Sequence, residues 1–246
     1  HYPSVHTPAA PPSVSYMTVV ASDSVRIMLT MSALNDLLIL GADVQNAFLT
    51  APNKEKCWLR AGPEFGPDEG KNFIVARALY GLKSAGFSFR SFMAEKLDDM
   101  NFKSSEADPD VWMRPAVKAD GEEYYEYILM YVDDILAISV DPSGILEEIQ
   151  AQFKFKNDKI ETPSNYLGAK LEVKEMNGYQ CWTISSVEYV KAAIQSVEES
   201  LKKKSRKLPL KVTTPMTNNY LPELDGTDEL DEEDHTFYQE LIGVLR

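Results

Sequence analysis

Residues 124–140 read Tyr124-Tyr-Glu-Tyr-Ile-Leu-Met-Tyr-Val-Asp-Asp-Ile-Leu-Ala-Ile-Ser-Val140, two apolar β-prone runs divided only by Asp133 and Asp134. The pattern predicts an antiparallel hairpin with a doubly acidic tip. An ordinary two-residue tip takes Asn-Gly or Asp-Gly, which tolerate positive φ, so two acids point to a further requirement. Adjacent carboxylates repel, and beside a low-dielectric sheet ionising both is costly unless a cation neutralises them. Magnesium suits that role, being a hard cation held by one or two carboxylates together with substrate phosphates. Upstream, Leu37-Leu-Ile-Leu-Gly-Ala-Asp-Val44 is a short apolar run ending in a carboxylate, as a buried strand does. If that strand neighbours the hairpin, Asp43 joins Asp133 and Asp134 at one sheet edge and a two-metal site is conceivable. Such a site drives in-line phosphoryl transfer with two ions about 4 Å apart, and the protein needs no nucleophile of its own. Taken one at a time, the same residues are a solvated turn and a strand-end cap; it is their combination that favours the metal site.

The flanking sequence supplies helices and a second hairpin. Val25, Met28, Leu29, Ser32 and Ala33 fall at helical spacing, with Asp23 or Ser24 to cap the first turn. Residues 52–70 mix prolines, glycines and charges and read as a peripheral hairpin or loop. Ser84 is placed to cap a helix with the stripe Phe89, Phe92, Met93, Leu97 and Met100. Ile145 to Phe155 predicts another amphipathic helix. Tyr166 to Glu175 and Tyr179 to Ile184 predict a hairpin around Asn177-Gly178. Val187, Val190, Ile194, Val197 and Leu201 mark one face of a long helix running into Lys202. Strands interspersed with helices, some in hairpins, argue for an α+β fold rather than a doubly wound parallel sheet.

Composition bounds the function. The 246 residues are 44% hydrophobic, enough for a sizeable core, and carry a net charge of -13. That balance argues against coating nucleic acid by general positive charge; any such partner must be met locally. Eight of the twelve residues from Glu223 to Asp234 are acidic. Lys202, Lys203, Lys204, Arg206, Lys207 and Lys211 form the one dense basic run, either a phosphate-contacting surface or a solvated helix end. Cys57 and Cys181 lie far apart and form no zinc spacing with His1, His6 and His235, which suits a reduced, intracellular setting. The most apolar stretch, residues 27–44, is interrupted by polar side chains, so no membrane partner is expected. Residues 1–16 are proline-rich and uncharged and read as a loose lead-in. A start at His1 suggests a piece of a longer polypeptide.

Three segments in order, Asp43-Val-Gln-Asn-Ala-Phe-Leu49, Ala78-Leu-Tyr-Gly-Leu-Lys83 and Tyr131-Val-Asp-Asp134, resemble the reverse transcriptase of a copia-type LTR retrotransposon. Ser24-Val-Arg-Ile27 resembles the helix before the first motif and Tyr166-Leu-Gly-Ala-Lys-Leu171 the primer grip. Tyr238-Gln-Glu-Leu-Ile-Gly-Val-Leu245 is similar to a downstream segment of such elements. The resemblance implies a right-hand polymerase palm, an antiparallel sheet backed by helices. In it Asp43 and Asp133 bind two Mg2+ ions (Mn2+ being a possible substitute), Asp134 completes the acidic cluster, and Val44 lends its backbone carbonyl. It implies that Phe48 is the steric gate against a ribose 2′-hydroxyl, a core aromatic being the alternative. Tyr80 and Gly81 would contact the incoming nucleotide, or form an ordinary turn before a helix. Tyr131 would abut the primer terminus, and Leu167, Gly168 and Ala169 would position the primer 3′ end unless they belong to a plain hairpin. Lys202, Lys203, Lys204 and Arg206 lie in the region resembling the thumb.

Two departures stand out. Family members continue the glycine turn as Gln-Ala-Pro-Arg-x-Trp, where this chain has Ser84-Ala-Gly-Phe-Ser-Phe89, which bears on the nucleotide pocket but not the metal site. No basic strand of the Lys-Ala-Arg-Leu-Val type precedes Val19, so weak or absent activity is expected of this chain alone. The expected layout is a lead-in at 1–18, palm at 19–50, partial fingers at 51–84, palm with acidic hairpin and primer grip at 85–175, and a thumb-like or connection region at 176–246. The expected function is RNA-directed DNA polymerase, with RNA template, DNA primer, dNTP and the integrase and RNase H parts of the polyprotein as partners, in a cytoplasmic particle or the nucleus. The alternatives are a non-catalytic remnant that binds nucleic acid or protein, and a different two-metal nucleotidyl-transfer enzyme.

Overall fold

A computed structural model describes residues 5–6, 17–212, 226 and 228–245. Most of the expected lead-in, and residues 223–225 and 227 of the acidic stretch, lie outside the described residues. The fold is α+β with antiparallel sheets, as the element pattern predicts. In chain order the elements are β1 (Val5–His6), α1 (Ser22–Leu34), β2 (Leu38–Asp43), α2 (Ala47–Thr50), β3 (Trp58–Arg60), β4 (Asn72–Ile74), α3 (Ala85–Asp99), β5 (Lys103–Ser104), β6 (Val111–Val117), β7 (Glu123–Tyr131), β8 (Asp134–Ser139), α4 (Pro142–Gln150), β9 (Asn165–Tyr166), β10 (Ala169–Met176), β11 (Tyr179–Ser185), α5 (Val187–Lys203) and α6 (Glu232–Leu245). Two compact units result, His1–Leu167 with Leu171–Thr183, and Gly168–Lys170 with Ile184–Arg246.

The first unit is built on a five-stranded sheet in the order β2-β8-β7-β6-β5, antiparallel throughout. Phe89, Met93 and Leu97 of α3 and Ile145, Leu146 and Ile149 of α4 cover one face, packing with Ala42, Ile128, Ile135 and Ala137. Val25, Met28 and Leu29 of α1, with Tyr166 and Leu171, cover the other, packing with Ile39, Leu129, Leu136 and Ile138. Burial on both faces is why residues 38–42, 128–132 and 135–138 read as continuous apolar runs rather than alternating ones. β3 and β4 pair in a separate small sheet with β1, and β9, β10 and β11 form a third.

Several boundaries differ from the sequence reading, each for a tertiary reason. The hairpin turn is Val132-Asp133, not Asp133-Asp134, because Tyr131 pairs with Asp134, which already belongs to β8. Its first turn residue, Val132, has φ +56°, a strained conformation for a β-branched side chain where such hairpins usually place glycine. The helix expected over 145–155 runs over Pro142–Gln150, begun by Asp141 accepting from the Gly144 amide. Neither Asp23, Ser24 nor Ser84 caps its helix by a side-chain hydrogen bond. Asp108 takes over at α1: its Oδ2 accepts from the Ala21 amide at 2.9 Å and the Ser24 hydroxyl at 2.6 Å. The strand expected from Tyr166 is broken at Leu167 and Gly168, both at positive φ, and a tight turn joins β9 to β10. The Asn177-Gly178 turn stands where the sequence puts it, both residues at positive φ.

In the second unit, the Tyr189 hydroxyl donates to the Val244 carbonyl at 2.6 Å, and Lys204 forms an ion pair with Asp234. The apolar stripe of α5 is half-exposed at Val187, Val190 and Ile194. No helix among the described residues is long and apolar enough to cross a membrane.

Candidate functional site

The register of β2 against β8 places Asp43 directly opposite Asp134. Both side chains lie on the sheet face that carries Ile39, Leu136 and Ile138, since residues two apart along a strand share a face. Directly opposed side chains in an antiparallel pair have Cβ atoms about 5 Å apart, and like charges there are destabilising. The backbone locks the arrangement, for the Val44 amide donates to the Asp133 carbonyl at 2.8 Å. Asp43 and Asp134, from chain segments about 90 positions apart, are thus opposed where β2 ends, with Asp133 in the adjoining β7–β8 turn. Val44 itself is buried in the core formed with α3 and α4, which leaves only its backbone carbonyl for a ligand role.

Electrostatics at this edge follow from burial and crowding. Removal from water, and then the Asp133 and Asp43 carboxylates, raise the Asp134 carboxyl to about 6, while the Lys156 ammonium pulls it down. Among the described residues, no three His, Cys, Asp or Glu side chains are gathered as a ready-made cage. The donors nevertheless suit a hard divalent cation of magnesium type: all are oxygens, the sheet holds two of them opposed, and their repulsion calls for positive charge. Magnesium usually completes its shell with water and phosphate rather than protein.

Lys156 was not anticipated from the sequence. Its Nζ lies 3.4 Å from Asp43 Oδ2. The segment before it is pinned along the outer edge of β2, with Phe155 bridging Val44 and the Gln45 amide donating to the Lys154 carbonyl at 2.8 Å. Further along, Gly41 and Glu161 exchange both backbone hydrogen bonds, at 2.7 and 3.1 Å. A legible signal existed: Phe153 and Phe155 are buried and alternate with exposed Lys154 and Lys156, a period of two that marks extended chain rather than helix. Beneath the acids a cavity of about 350 Å³ is lined by Asp43, Asp134, Lys156, Lys159, Asn165 and Tyr166, among others. Gly41 helps form its floor; a Cβ there would meet Leu136 at 3.2 Å and Pro163 at 3.6 Å.

The nucleotide-pocket candidates also converge. The Phe48 and Tyr80 rings lie 4.7 Å apart, and Phe48 reaches the buried Phe89 ring at 6.3 Å. Phe48 is half-buried against the α3 core and Tyr80 is exposed, so Phe48 has both a core anchor and an outward-facing neighbour. Gly81 has φ +95°, and a Cβ there would meet nothing within 4 Å. Tyr131 packs edge-on to Tyr166 at 6.4 Å, and with Leu167 borders the core on the α1 face. Gly168 and Ala169 fall in the turn after β9 and at the start of β10. Lys202 and Lys203 end α5, and Lys204 is already engaged by Asp234, which leaves less of the basic run free than the sequence suggests.

A family model described as reverse transcriptase (RNA-dependent DNA polymerase) matches residues 13–210, which include every candidate residue above. The match stops short of residues 238–245. A retrovirus-related Pol polyprotein from transposon TNT 1-94 of Nicotiana tabacum is 27% identical over 189 residues, which is 73% of this chain and 13% of the relative. The corresponding polyprotein from transposon RE1 of Arabidopsis thaliana is 28% identical over 148 residues, 58% of this chain and 10% of the relative. The chain therefore spans a small fraction of the curated relatives it matches.

Proposed function

The chain belongs to the reverse transcriptase (RNA-dependent DNA polymerase) family, and on that footing we propose that its acidic sheet edge is the catalytic centre of an RNA-directed DNA polymerase. The reaction is attack of a primer 3′-hydroxyl on the α-phosphate of a dNTP, with release of pyrophosphate, directed by an RNA template. The observation that carries this reading is the placement of Asp43 opposite Asp134 across β2 and β8, with Asp133 in the adjoining turn. A fold selected for stability alone has no use for opposed carboxylates at a half-buried edge.

When bound at Asp43, Asp133, Asp134 and the Val44 carbonyl, two Mg2+ ions (or Mn2+) supply activation of the hydroxyl and neutralisation of the developing phosphate charge. The protein's own residues do the positioning. Tyr131, at the end of β7, abuts the primer terminus. The Leu167, Gly168 and Ala169 turn supports the primer 3′ end, and Gly81 lets backbone approach the nucleotide closely. The Phe48 ring, held from behind by Phe89 and from the side by Tyr80, is the wall against a ribose 2′-hydroxyl. Residues 19–50 and 85–175 then correspond to the palm, 51–84 to part of the fingers and 176–246 to a thumb-like region. Lys202, Lys203 and Arg206 contact template or primer phosphates, joined by Lys204 where it gives up its pairing with Asp234, and these contacts weaken as salt rises. The relatives are named as Pol polyproteins, which supports integrase and RNase H segments as further parts of the parent molecule.

The test is extension of a DNA primer on an RNA template with magnesium and dNTPs, comparing the chain with its Asp43→Asn variant. Slow, template-dependent extension confined to the unaltered chain is expected; extension at equal rates by the two overturns the proposal. In the same assay Phe48→Val is expected to raise ribonucleotide incorporation relative to deoxynucleotide by about tenfold or more, since a ring in steric contact imposes at least about 1–3 kcal/mol of discrimination.

A further inference from the structure

We propose that Lys156 is the resident counter-cation of the acidic edge, neutralising Asp43 until a divalent cation displaces its ammonium group. The inference rests on the reading of this edge as a divalent-cation site. Its ground is geometric. Lys156 Nζ lies 3.4 Å from Asp43 Oδ2, and among the described residues it is the only basic side chain in an ion pair with any of the three acids. The chain leading to it is fixed, because Phe155 is fully buried and bridges Val44, so the flexible side chain of Lys156 starts from a backbone position beside the acids. The group itself is free to leave: the Lys156 side chain is 63% exposed, against 34% for Asp43.

The residue type suits a stand-in that gives way. A lysine ammonium is a compact point charge on a flexible stem, without the planar fork that makes an arginine–carboxylate pair bidentate and persistent. An ion pair this exposed holds its partner only weakly, so a dication displaces it readily. Without it, Asp43 would face Asp134 with no cation between them in the metal-free chain. Lys159 provides the contrast. It lines the same cavity and carries the same charge, yet it is paired with Glu161 and not with the catalytic acids.

The experiment uses the whole 246-residue chain and Mn2+ alone as the probe, with affinity measured by calorimetry at fixed pH and ionic strength. Lys156→Met is expected to bind Mn2+ about two- to fivefold tighter than the unaltered chain, the range set by the strength of an exposed ion pair. Lys159→Met, with the same loss of charge in the same cavity, is expected to leave affinity within about 1.5-fold of the unaltered chain's. Equal shifts in the two variants, or weaker binding by Lys156→Met, overturn the proposal. A second measurement needs no substitution: amine modification of Lys156 in the unaltered chain, followed by mass spectrometry, is expected to accelerate on adding Mn2+ while that of Lys159 does not. An unchanged Lys156 rate at saturating Mn2+ also overturns it. Asp134→Asn separates the two levels of argument, for if that variant binds Mn2+ as well as the unaltered chain, the metal-site reading itself fails.

Discussion

Asp134→Asn is expected to abolish primer extension, by about a thousandfold or more, while raising the stability of the metal-free protein at neutral pH. On the proposed metal-site reading, the activity loss follows from removing one of the carboxylates that would hold the ions, since metal activation and charge neutralisation contribute several kcal/mol and each 1.36 kcal/mol is a factor of ten. The stability gain follows from the direction of the Asp134 shift. Its carboxyl is raised to about 6 by burial and by the Asp133 and Asp43 carboxylates, so the folded state holds that proton more tightly than the unfolded chain does. Such a group favours folding most below about pH 4, and that advantage is lost as pH rises through about 6. Asparagine keeps the shape and drops the charge. Melting temperatures of the two metal-free proteins should therefore converge near pH 4 and separate above pH 6 or so, with the variant melting higher. A variant that melts lower at neutral pH would mean that the opposed carboxylates are not repelling.

Arg90→Met is expected to cost about 3–5 kcal/mol of stability, the usual loss when one partner of a buried ion pair is removed and a charge is left behind. Arg90 Nε donates to Asp110 Oδ1 at 2.6 Å and Arg90 Nη2 to the Pro109 carbonyl at 3.1 Å, while Asp110 is 1% exposed. The other Asp110 oxygen has no protein partner, so nothing is at hand to take over from the guanidinium. For a chain of this size the loss corresponds to a fall in melting temperature of about 6–20 °C. The double variant Arg90→Met with Asp110→Asn is expected to recover a large part of it, because a neutral amide is far less costly to bury than an unpaired charge. The consequence reaches the candidate site, since the Met130 amide donates to the Asp110 carbonyl at 3.0 Å two residues before the acid-bearing turn. Differential scanning calorimetry of the single and double variants checks both parts.

How much of this was legible beforehand depended on distance along the chain. The Tyr124–Val140 hairpin was, because burial on both faces leaves continuous β-prone runs that only the acids interrupt. The position of its turn was not: moving one residue back to Val132-Asp133 puts a strained valine in the turn and Asp134 in the strand, a choice made by pairing with β2. The helix expected to reach Phe155 stops at Gln150 because Phe153 and Phe155 are drawn into the core beneath β2, and missing that change of period hid Lys156. The cap of α1 comes from Asp108, more than eighty residues downstream, and no local pattern announces it.

The likeness of the ordered motifs to a reverse transcriptase is a family resemblance, whereas residue type and spacing by themselves determined that the chain is α+β and that its acids stand at the ends of apolar strands. These are matters of local propensity and periodicity, carried by neighbours a few positions apart. Only the tertiary structure decided that Asp43 opposes Asp134 on the same sheet face, that Lys156 answers them, and that Phe48 leans on Tyr80. Strand register is the physical reason, since a slip of one residue between β2 and β8 would turn one of the two carboxylates to the opposite face. That register is fixed by packing on both sides of the sheet, which no single segment contains.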